Sequence, residues 1–249
     1  MPKHNRFYFL ILFNCIFPHF SYTKKEFLCV IFSQKRLNFL STIQIQNLTK
    51  HFHKNKIQVT VLKDICISFK QDTSYAIMGD SGSGKTTLMH ILAGLEKQTS
   101  GSITADSSTS FACMFQKPYL QNELSILENV LLCKIISGTV STNDYKNAQS
   151  ALNGLNIHSM HQKCATLSGG QQQKVAFLRA LFARPSFLLA DEPTTFLDSA
   201  SSTELLDLMF TSHKENNMGL VIITHDEKVA QRADEVYELQ HGQLFKKDF

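Results

Sequence analysis

The sequence lacks any pair of cysteines close enough to form a C-x-x-C motif, although it has six cysteines in 249 residues. They stand at Cys15, Cys29, Cys66, Cys113, Cys133 and Cys164. This spacing argues against both a zinc site and a thiol redox motif. Scattered single thiols are instead typical of a reducing compartment.

Long hydrophobic runs are also missing. The apolar run Phe7–Phe17 has 11 residues, whereas a membrane-spanning helix needs about 20. Lys3 and Arg6 precede this run as in a signal peptide, but no small-x-small cleavage site follows. We therefore expect residues 1–42 to lie outside the functional fold, as an upstream stretch joined by a mis-assigned start. A peripheral, membrane-contacting extension is the alternative.

The main part of the chain has no excess of positive charge, although the net charge is +4. Residues 1–42 contain six basic residues and one acidic residue, and the remaining 207 contain 19 basic and 20 acidic residues. Residues 43–249 therefore have almost no net charge, which argues against a broad nucleic-acid interface. We expect no nucleic acid among the partners.

The most informative stretch runs from Ser74 to Leu95. A short apolar run, Tyr75–Met78, is followed by Gly79–Thr86, which fits G-x-x-x-x-G-K-[ST] at every fixed position. Apolar residues then recur at helical spacing from Leu88 to Leu95. Strand, glycine loop and helix therefore occur in the order that a phosphate-binding loop requires. A glycine turn before a core helix is the alternative.

The residue types in this loop suit ATP and Mg²⁺. Glycines allow successive backbone N–H groups to face an anion, and the following helix adds its positive end. Lys85 supplies a charge for the β- and γ-phosphates, Thr86 a hydroxyl for Mg²⁺, and Thr87 one more hydroxyl. The candidate nucleotide-binding residues here are Gly79, Asp80, Ser81, Gly82, Ser83, Gly84, Lys85, Thr86 and Thr87.

Strand and helix patterns alternate along residues 43–249. Strands are predicted at Ile43–Leu48, Val59–Leu62, Ile65–Phe69, Phe111–Phe115, Phe187–Asp191 and Leu220–Thr224. Ser102–Ser110 is small and polar and is assigned no strand, and Val236–Phe245 is predicted to close the fold as a hairpin. Residues from about 117 to 184 are mostly helical in pattern and form a predicted lobe. This alternation predicts an α/β fold with a mostly parallel sheet.

A second motif, Leu167–Gln171 (L-S-G-G-Q), lies about 80 residues after the phosphate loop. By itself it could be a helix start capped by Ser168. Together with Gly79–Thr86, it makes the stretch from Ile43 to Phe245 resemble the ATP-binding subunits of ABC transporters. The resemblance implies a phosphate-loop NTPase core with a small antiparallel β-subdomain and an inserted helical lobe.

The resemblance also implies a role for this motif, which we call the signature segment. Its residues Ser168, Gly169, Gly170 and Gln171 would bind the γ-phosphate of ATP held by the opposite subunit. A serine hydroxyl, glycine N–H groups and a helix N-terminus suit that anion. The expected assembly is a pair of identical chains with ATP at the interface.

Four further residues match motifs of the family. By resemblance, Asp191 holds Mg²⁺ through water, Glu192 is the general base for the attacking water, Gln116 contacts Mg²⁺ and water, and His225 contacts the γ-phosphate. An acidic pair at a strand end also fits ligand binding in open α/β sheets. The ordinary alternatives are a solvated acidic pair, a surface glutamine and a structural histidine.

Phe52 matches the aromatic residue that stacks on adenine, with core packing as its alternative. Asp198 matches the D-loop, which crosses the dimer interface. The chain departs from the family pattern in three places. Phe196 is bulky where the D-loop usually has small residues, Lys174 replaces the usual arginine after the signature segment, and only 14 residues separate Gly101 from Gln116.

The flanking stretches Val59–Ile65, Leu92–Glu96 and Thr224–Asp226 resemble the lipoprotein-releasing and macrolide-export branch. This implies a cytoplasmic subunit, peripheral on the inner face of the cell membrane, that works with a membrane-spanning permease. We expect Lys117–Leu127 to form part of the docking surface for that permease, or else to fill the core of the helical lobe.

Three other functions are compatible with a phosphate loop. They are the ATPase of an importer, a soluble ABC ATPase of DNA repair or translation, and a kinase of the phosphate-loop type. The soluble ATPases usually carry two cassettes or long coiled-coil or zinc insertions, and neither is found here. The signature segment argues against the kinase.

Overall fold

The computed structural model describes residues 41–54 and 57–248. The expectation for residues 1–42 therefore falls almost entirely outside the described residues. Among the described residues, no helix combines the length and the apolar character needed to cross a membrane. The described residues form two compact units, residues 41–116, 185–195 and 206–248 in the larger one and residues 117–184 and 196–205 in the smaller one.

The helices and strands follow one another along the chain in the following order. They are β1 (Thr42–Lys54), β2 (Ile57–Lys70), β3 (Ser74–Met78), α1 (Lys85–Leu92), β4 (Ser100–Ala105), β5 (Phe111–Met114), α2 (Ile126–Ser137), α3 (Thr142–Gly154), a 3₁₀ turn (Cys164–Thr166), α4 (Gly169–Phe182), β6 (Phe187–Asp191), α5 (Ser199–Asn216), β7 (Gly219–Ile223), α6 (Glu227–Ala230), β8 (Glu235–Gln240) and β9 (Gln243–Lys247).

The main sheet of the larger unit has the strand order β5-β6-β7-β3-β8-β9. Its first five strands are parallel, and β9 pairs antiparallel with β8 across the turn His241–Gly242. Every residue of β3, β6 and β7 is buried, as expected for continuous apolar runs in a parallel sheet covered on both faces. The predicted α/β fold with a mostly parallel sheet and a terminal hairpin is confirmed.

A second sheet of the larger unit is antiparallel and has the order β2-β1-β4. Two strands were predicted between Val59 and Phe69, and this is wrong, because they form the single strand β2. The polar residue Asp64 between them has a φ of 51° and lies at an irregularity in the pairing with β1. The sequence break is thus a β-bulge and not a turn.

Strand β4 was missed because its residues are small and polar. Its six residues are exposed except for the half-buried Ile103, so it has no alternation to detect. It is an edge strand that owes its conformation to backbone pairing with β1. Helix α1 ends at Leu92, before the predicted Leu95, because Gly94 takes a left-handed φ of 70° and closes the helix.

The smaller unit contains α2, α3 and α4. Each of these helices begins with a capping box, in which a serine hydroxyl accepts the backbone N–H three residues on and that residue's side chain accepts the serine N–H. The pairs are Ser125 with Glu128, Ser141 with Asp144, and Ser168 with Gln171. Local sequence therefore fixes where all three helices start, including the helix that opens with the signature segment.

Candidate functional site

A cleft of about 780 Å³ opens at the carboxyl ends of the central strands of the larger unit, where open α/β sheets bind ligands. Its described lining consists of Met78, Gly79, Asp80, Ser81, Gly82, Lys85, Thr86, Gln116, Asp191, Glu192, His225, Glu227, Glu238 and Lys247. Ten of these were predicted from the sequence as site residues. Of the other residues proposed for the phosphate loop, Ser83, Gly84 and Thr87 are not part of this lining.

The backbone conformation of the phosphate loop favours glycine, as Gly79 and Gly84 illustrate. Gly79 has a φ of 143°, and a Cβ atom there would lie 2.5 Å from the carbonyl oxygen of Leu239. Gly84 has a φ of 107° and caps α1. In the described part of the chain, the buried Ser83 Oγ has no hydrogen-bond partner. An anion such as phosphate could satisfy this buried hydroxyl.

Lys85 is buried in this loop, with 8% of its surface exposed. Its Nζ donates hydrogen bonds to the carbonyl oxygens of Gly79 (2.7 Å) and Asp80 (2.9 Å). The ammonium group is therefore held against the loop that it would share with a phosphate. Its charge is available where a triphosphate would bind.

Thr86 and Asp191 meet at the far side of the loop. Thr86 Oγ1 donates to Asp191 Oδ2 over 2.9 Å, and Gln116 lines the same cleft. Burial raises the pKa of Asp191 above its ordinary value, and the hydrogen bond from Thr86 opposes this shift. A hydroxyl, a carboxylate and an amide oxygen are the oxygen ligands that Mg²⁺ takes in phosphate sites, so these residues fit the ion.

The charges of the cleft also favour a divalent cation. Its described lining contains five carboxylates and two ammonium groups. The carboxylates are Asp80, Asp191, Glu192, Glu227 and Glu238, and the ammonium groups are Lys85 and Lys247. A triphosphate entering alone would meet more negative than positive charge, and a bound Mg²⁺ would offset this repulsion.

Glu192 has both carboxylate oxygens in hydrogen bonds. His225 Nδ1 lies 2.8 Å from Oε1, and Thr195 Oγ1 donates to Oε2 over 2.9 Å. The backbone of Glu192 is left-handed, with a φ of 48°, and its N–H donates to the carbonyl oxygen of Ile223 over 2.9 Å. The predicted general base and the histidine predicted to contact the γ-phosphate are therefore in direct contact.

Five residues at this site were not predicted from the sequence: Met78, which ends β3, and four others. Glu227, Glu238 and Lys247 line the cleft, and Lys247 Nζ lies 3.2 Å from Glu227 Oε1. Lys247 arrives there because β9 pairs antiparallel with β8, opposite Val236, and no sequence motif marks that register. Thr195 lies three residues after Glu192 and bonds to its carboxylate. Its closeness in sequence was the one feature that could have suggested this contact.

Phe52 lies on the antiparallel sheet and not in the described lining of the cleft. It is 38% exposed, Lys50 Nζ lies 4.6 Å from its ring centroid, and Val59 pairs with it across the sheet. Val61, two residues further along β2, lies beside Gly84, since a Cβ on Gly84 would be 3.0 Å from Val61 Cγ1. Phe52 and Val59 are thus exposed apolar residues on a surface that continues through the half-buried Val61 to the loop, and the Phe52 ring could stack on a base.

The signature segment belongs to the smaller unit. Ser168 accepts a hydrogen bond from the N–H of Gln171 at the start of α4, and a Cβ on Gly170 would lie 3.0 Å from Ser201 Oγ. Asp198 accepts hydrogen bonds from the N–H (2.9 Å) and the Oγ (2.7 Å) of Ser201. The predicted phosphate-binding serine and the D-loop aspartate are thus both helix-start residues of this unit. The neighbouring Phe196 is 68% exposed.

Comparison with known sequences identifies the family of this chain and the branch of that family to which its relatives belong. Residues 62–195 match the ABC transporter family. The lipoprotein-releasing system ATP-binding protein LolD of Hydrogenovibrio crunogenus is 36% identical over 216 residues, with 80% of this chain and 94% of that protein covered. LolD of Legionella pneumophila strain Paris is 37% identical over 220 residues, covering 82% and 96%.

One further relative and one solved structure agree with this. The macrolide export ATP-binding/permease protein MacB of Bartonella henselae is 36% identical over an alignment of 220 residues, with 82% of this chain and 33% of that protein covered. The dimeric, post-hydrolysis structure of the ATP-binding cassette MJ0796 with ADP and Pi has a TM-score of 0.74 and 30% identity, covering 83% of this chain and 100% of that one.

These matches confirm the predicted branch as well as the fold. They cover most of the chain at identities that establish membership, and they fit a cleft built around a phosphate loop. The chain belongs to the ABC transporter family, in which it is an ATP-binding subunit that hydrolyses ATP to drive transport.

Proposed function

We propose that this chain hydrolyses Mg²⁺-bound ATP in the described cleft, as one of two identical subunits, and so drives a separate membrane permease. The contact between Glu192 and His225 carries this proposal, because it lies in a cleft that also contains the phosphate loop. A base, an imidazole and phosphate-binding amides are the groups needed for attack of water on a γ-phosphate.

The loop residues bind and orient the triphosphate. The backbone N–H groups of Gly79–Thr86 and the start of α1 bind its oxygens, and Lys85 would exchange its contacts with loop carbonyls for the β- and γ-phosphates. Thr86 and Gln116 would hold Mg²⁺ directly, with Asp191 holding it through water. When bound, this ion neutralises charge that develops on the phosphate oxygens. Phe52 would stack on the adenine.

Glu192 performs the proton transfer. Its carboxylate accepts a proton from the attacking water as the water oxygen bonds to the γ-phosphorus, and ADP leaves with the electron pair of the broken P–O bond. His225 keeps the carboxylate oriented through the 2.8 Å contact and would contact the γ-phosphate. General-base help of this kind is typically worth about 10²–10⁴-fold in rate.

The second subunit completes each site. One chain has a single phosphate loop and a single signature segment, and the related cassette MJ0796 is dimeric in its solved structures. We propose that Ser168, Gly169, Gly170 and Gln171 bind the γ-phosphate of ATP held by the partner chain, with Asp198 at the same interface. ATP then holds two chains together, and hydrolysis releases them.

The test of this proposal is ATP-dependent dimerisation of Glu192→Gln. The amide keeps the shape of the side chain but cannot take the proton, so this variant should bind ATP, hydrolyse it very slowly and accumulate as a dimer. Adding Ser168→Arg puts bulk and charge beside the γ-phosphate and should return it to monomers. Glu215→Gln, at an exposed glutamate of α5, is the matched control and should behave like the unchanged protein.

Size-exclusion chromatography with light scattering, with and without ATP, measures the outcome. The shared-site mechanism fails if Glu192→Gln remains monomeric in ATP both alone and with its permease. The assignment of the base fails separately if Glu192→Gln hydrolyses ATP at the unchanged rate.

We further propose that the permease binds the segment Lys117–Leu127, which places the chain on the cytoplasmic face of the cell membrane. Tyr119 is 45% exposed, while Leu120 and Leu124 are half-buried. Arg179 holds the segment in place by donating to two of its backbone carbonyls over 2.8 Å. An ordered segment with accessible apolar side chains supports a docking role.

Photo-crosslinking in the assembled complex tests this docking surface. A crosslinker at Tyr119 should capture the permease, whereas one at Tyr145, which is 38% exposed elsewhere on the smaller unit, should not. Equal capture from both positions would contradict the assignment. The names of the relatives, which refer to lipoprotein release and macrolide export, support a releasing or exporting permease as the partner.

The N-terminal segment is proposed to lie outside the ATPase. Its structural boundary can be drawn at Ser41, whose N–H and carbonyl oxygen form hydrogen bonds with Gln71 (3.0 and 2.9 Å) beside the first pair of β1 and β2. We therefore expect removal of residues 1–40 to leave ATP binding and hydrolysis intact. Loss of ATP binding in the truncated protein would show that the segment belongs to the fold.

A further inference from the structure

We propose that Thr195 is a positioning residue for the general base Glu192, an inference that rests on the function proposed above. Its Oγ1 donates a 2.9 Å hydrogen bond to Glu192 Oε2, on the opposite side of the carboxylate from His225. Its N–H also bonds to the carbonyl oxygen of Glu192 over 3.3 Å. Backbone and side chain thus close one tight turn around the base.

Glu192 needs such a restraint. Its left-handed backbone is an uncommon conformation for a residue other than glycine, and its N–H bond to the carbonyl of Ile223 ties this backbone to the end of β7. A glutamate side chain has several rotatable bonds, and ordering it costs free energy. Threonine is β-branched and stiff at χ1, so a hydroxyl attached to it is a well-defined donor.

The two hydrogen bonds also determine which lone pairs of Glu192 remain available. An ionised carboxylate only accepts, with about two lone pairs on each oxygen. His225 occupies a position on Oε1 and Thr195 a position on Oε2. Because both oxygens are hydrogen-bonded, the carboxylate cannot rotate freely. Its remaining lone pairs therefore have a fixed orientation within the cleft. A water activated there meets a base that is already oriented.

Packing does not account for Thr195. Its side chain is exposed, so its methyl group contributes little buried area, and substitutions at such surface positions usually change stability by less than about 0.5 kcal/mol. The hydroxyl bond to Glu192 is the side-chain contact that the structure shows for it. Removing this hydroxyl should therefore affect the chemical step and leave folding unchanged.

The experiment compares Thr195→Val, which keeps the size and removes the donor, with Thr195→Ser, which keeps the donor. We expect Thr195→Val to lower kcat by roughly five- to tenfold, the size expected for one ordinary hydrogen bond at an exposed site. KM for ATP, ATP-dependent dimerisation and Tm should stay unchanged. Thr195→Ser should stay within about twofold of the starting rate. Thr203→Val, at an exposed threonine whose hydroxyl donates to the backbone carbonyl of Ser199, is the matched control.

The same substitution in the Glu192→Gln variant tests whether the effect of Thr195 on the rate depends on the Glu192 carboxylate. In Glu192→Gln, single-turnover hydrolysis of labelled ATP should be equally slow with and without Thr195→Val, because the group that Thr195 orients is no longer a base. The same fold loss in both backgrounds would overturn the proposal. So would an unchanged kcat in Thr195→Val, or a change confined to KM or to dimerisation. An unchanged rate in Glu192→Gln itself would instead overturn the proposed base.

Discussion

The Lys174 ammonium group lies 2.5 Å from the Glu204 carboxylate, so that α4, which begins with the signature segment, is paired with α5, which follows the D-loop. The two partners differ in burial. The Lys174 side chain is 9% exposed and that of Glu204 is 49% exposed. If the pair is broken, water can therefore solvate the Glu204 carboxylate but not the Lys174 ammonium group. Lys174 stands where the family usually has arginine.

This asymmetry predicts unequal effects of removing each partner. Glu204→Gln leaves a buried ammonium group without its counter-charge and should reduce the free energy of unfolding by about 1–2 kcal/mol. Lys174→Met keeps the apolar stem and removes the buried charge, so it should cost less than about 1 kcal/mol. Urea unfolding of both variants and of the double variant tests this. A larger loss in Lys174→Met than in Glu204→Gln would contradict the argument.

Much of the fold and the site could be predicted because it is encoded locally. The phosphate loop, the signature segment and the buried strand before Asp191 are each defined by residue types at fixed spacing. Features that depend on how strands pair with one another could not be predicted. Strand β4 has no apolar alternation, the bulge at Asp64 resembled a strand end, and Lys247 reaches the cleft only through the register of β8 and β9.

The same distinction between local motifs and contacts made in the folded chain holds for the site residues. His225 and Glu192 were named by motif, and their contact depends on strand ends that lie side by side in the sheet. Thr195 had no motif, because its role depends on the turn that brings a hydroxyl back onto a carboxylate three residues earlier. A contact between charged side chains of two helices, such as Lys174 with Glu204, requires the packing of those helices and cannot be predicted from spacing.

The raised pKa of Asp191 predicts a conflict between stability and activity. The folded pKa lies above the unfolded one, so the stability tied to this group is present at low pH and is lost as pH rises through the folded pKa. At pH 7, the buried, ionised carboxylate therefore destabilises the nucleotide-free protein. Asp191→Asn removes the charge and still accepts the hydrogen bond from Thr86.

We expect Asp191→Asn to raise Tm without nucleotide by about 2–4 °C at pH 7, which corresponds to about 1 kcal/mol in a protein of this size. The gain should shrink as pH falls towards the ordinary pKa range of aspartate, because the Asp191 carboxyl group of the unchanged protein then takes up a proton. Mg²⁺-dependent hydrolysis should fall at the same time. Asp207→Asn, in the exposed pair with Arg232, is the control and should change Tm little. A lower Tm in Asp191→Asn would refute the expectation.

The ion pair between Lys134 and Asp144 should make the smaller unit sensitive to acid. The 2.5 Å contact with Lys134, joined by hydrogen bonds from Ser141, lowers the pKa of Asp144 to about 2. A lowered folded pKa means that the stabilisation is present above the unfolded pKa and is lost as pH falls through the folded one. The loss should therefore fall between about pH 4 and about pH 2.

Thermal unfolding at a series of pH values tests this window. Asp144→Asn should have a lower Tm than the unchanged protein at pH 7, and the two curves should converge as pH approaches 2. Asp106→Asn, at an exposed aspartate, should follow the unchanged protein throughout. A constant difference between Asp144→Asn and the unchanged protein down to pH 2 would show that its effect does not depend on ionisation.

Gly169 and Gly170 are neighbours in the signature segment, but they differ in the space beside them. A Cβ on Gly170 would lie 3.2 Å from Ser201 Cβ and 3.0 Å from its Oγ, whereas a Cβ on Gly169 would meet no atom of the described chain within 4 Å. Gly170→Ala should therefore disturb the packing of α4 on the start of α5 and lower Tm. Gly169→Ala should leave Tm unchanged or raise it slightly, since alanine favours the helix that begins there.

The open space beside Gly169 is where we place the γ-phosphate of the partner's ATP. In the Glu192→Gln background, Gly169→Ala should therefore keep ATP binding by the single chain but weaken the ATP-dependent dimer, because a methyl group would stand between phosphate and backbone amides. Gly154→Ala, at a helical glycine with equally open space in the same unit, controls for the added methyl group and should leave the dimer unchanged. Light scattering at increasing ATP concentrations measures the difference. If Gly169→Ala dimerises as readily as its parent, then the partner's ATP does not bind beside Gly169, and the proposed role of the signature segment is wrong.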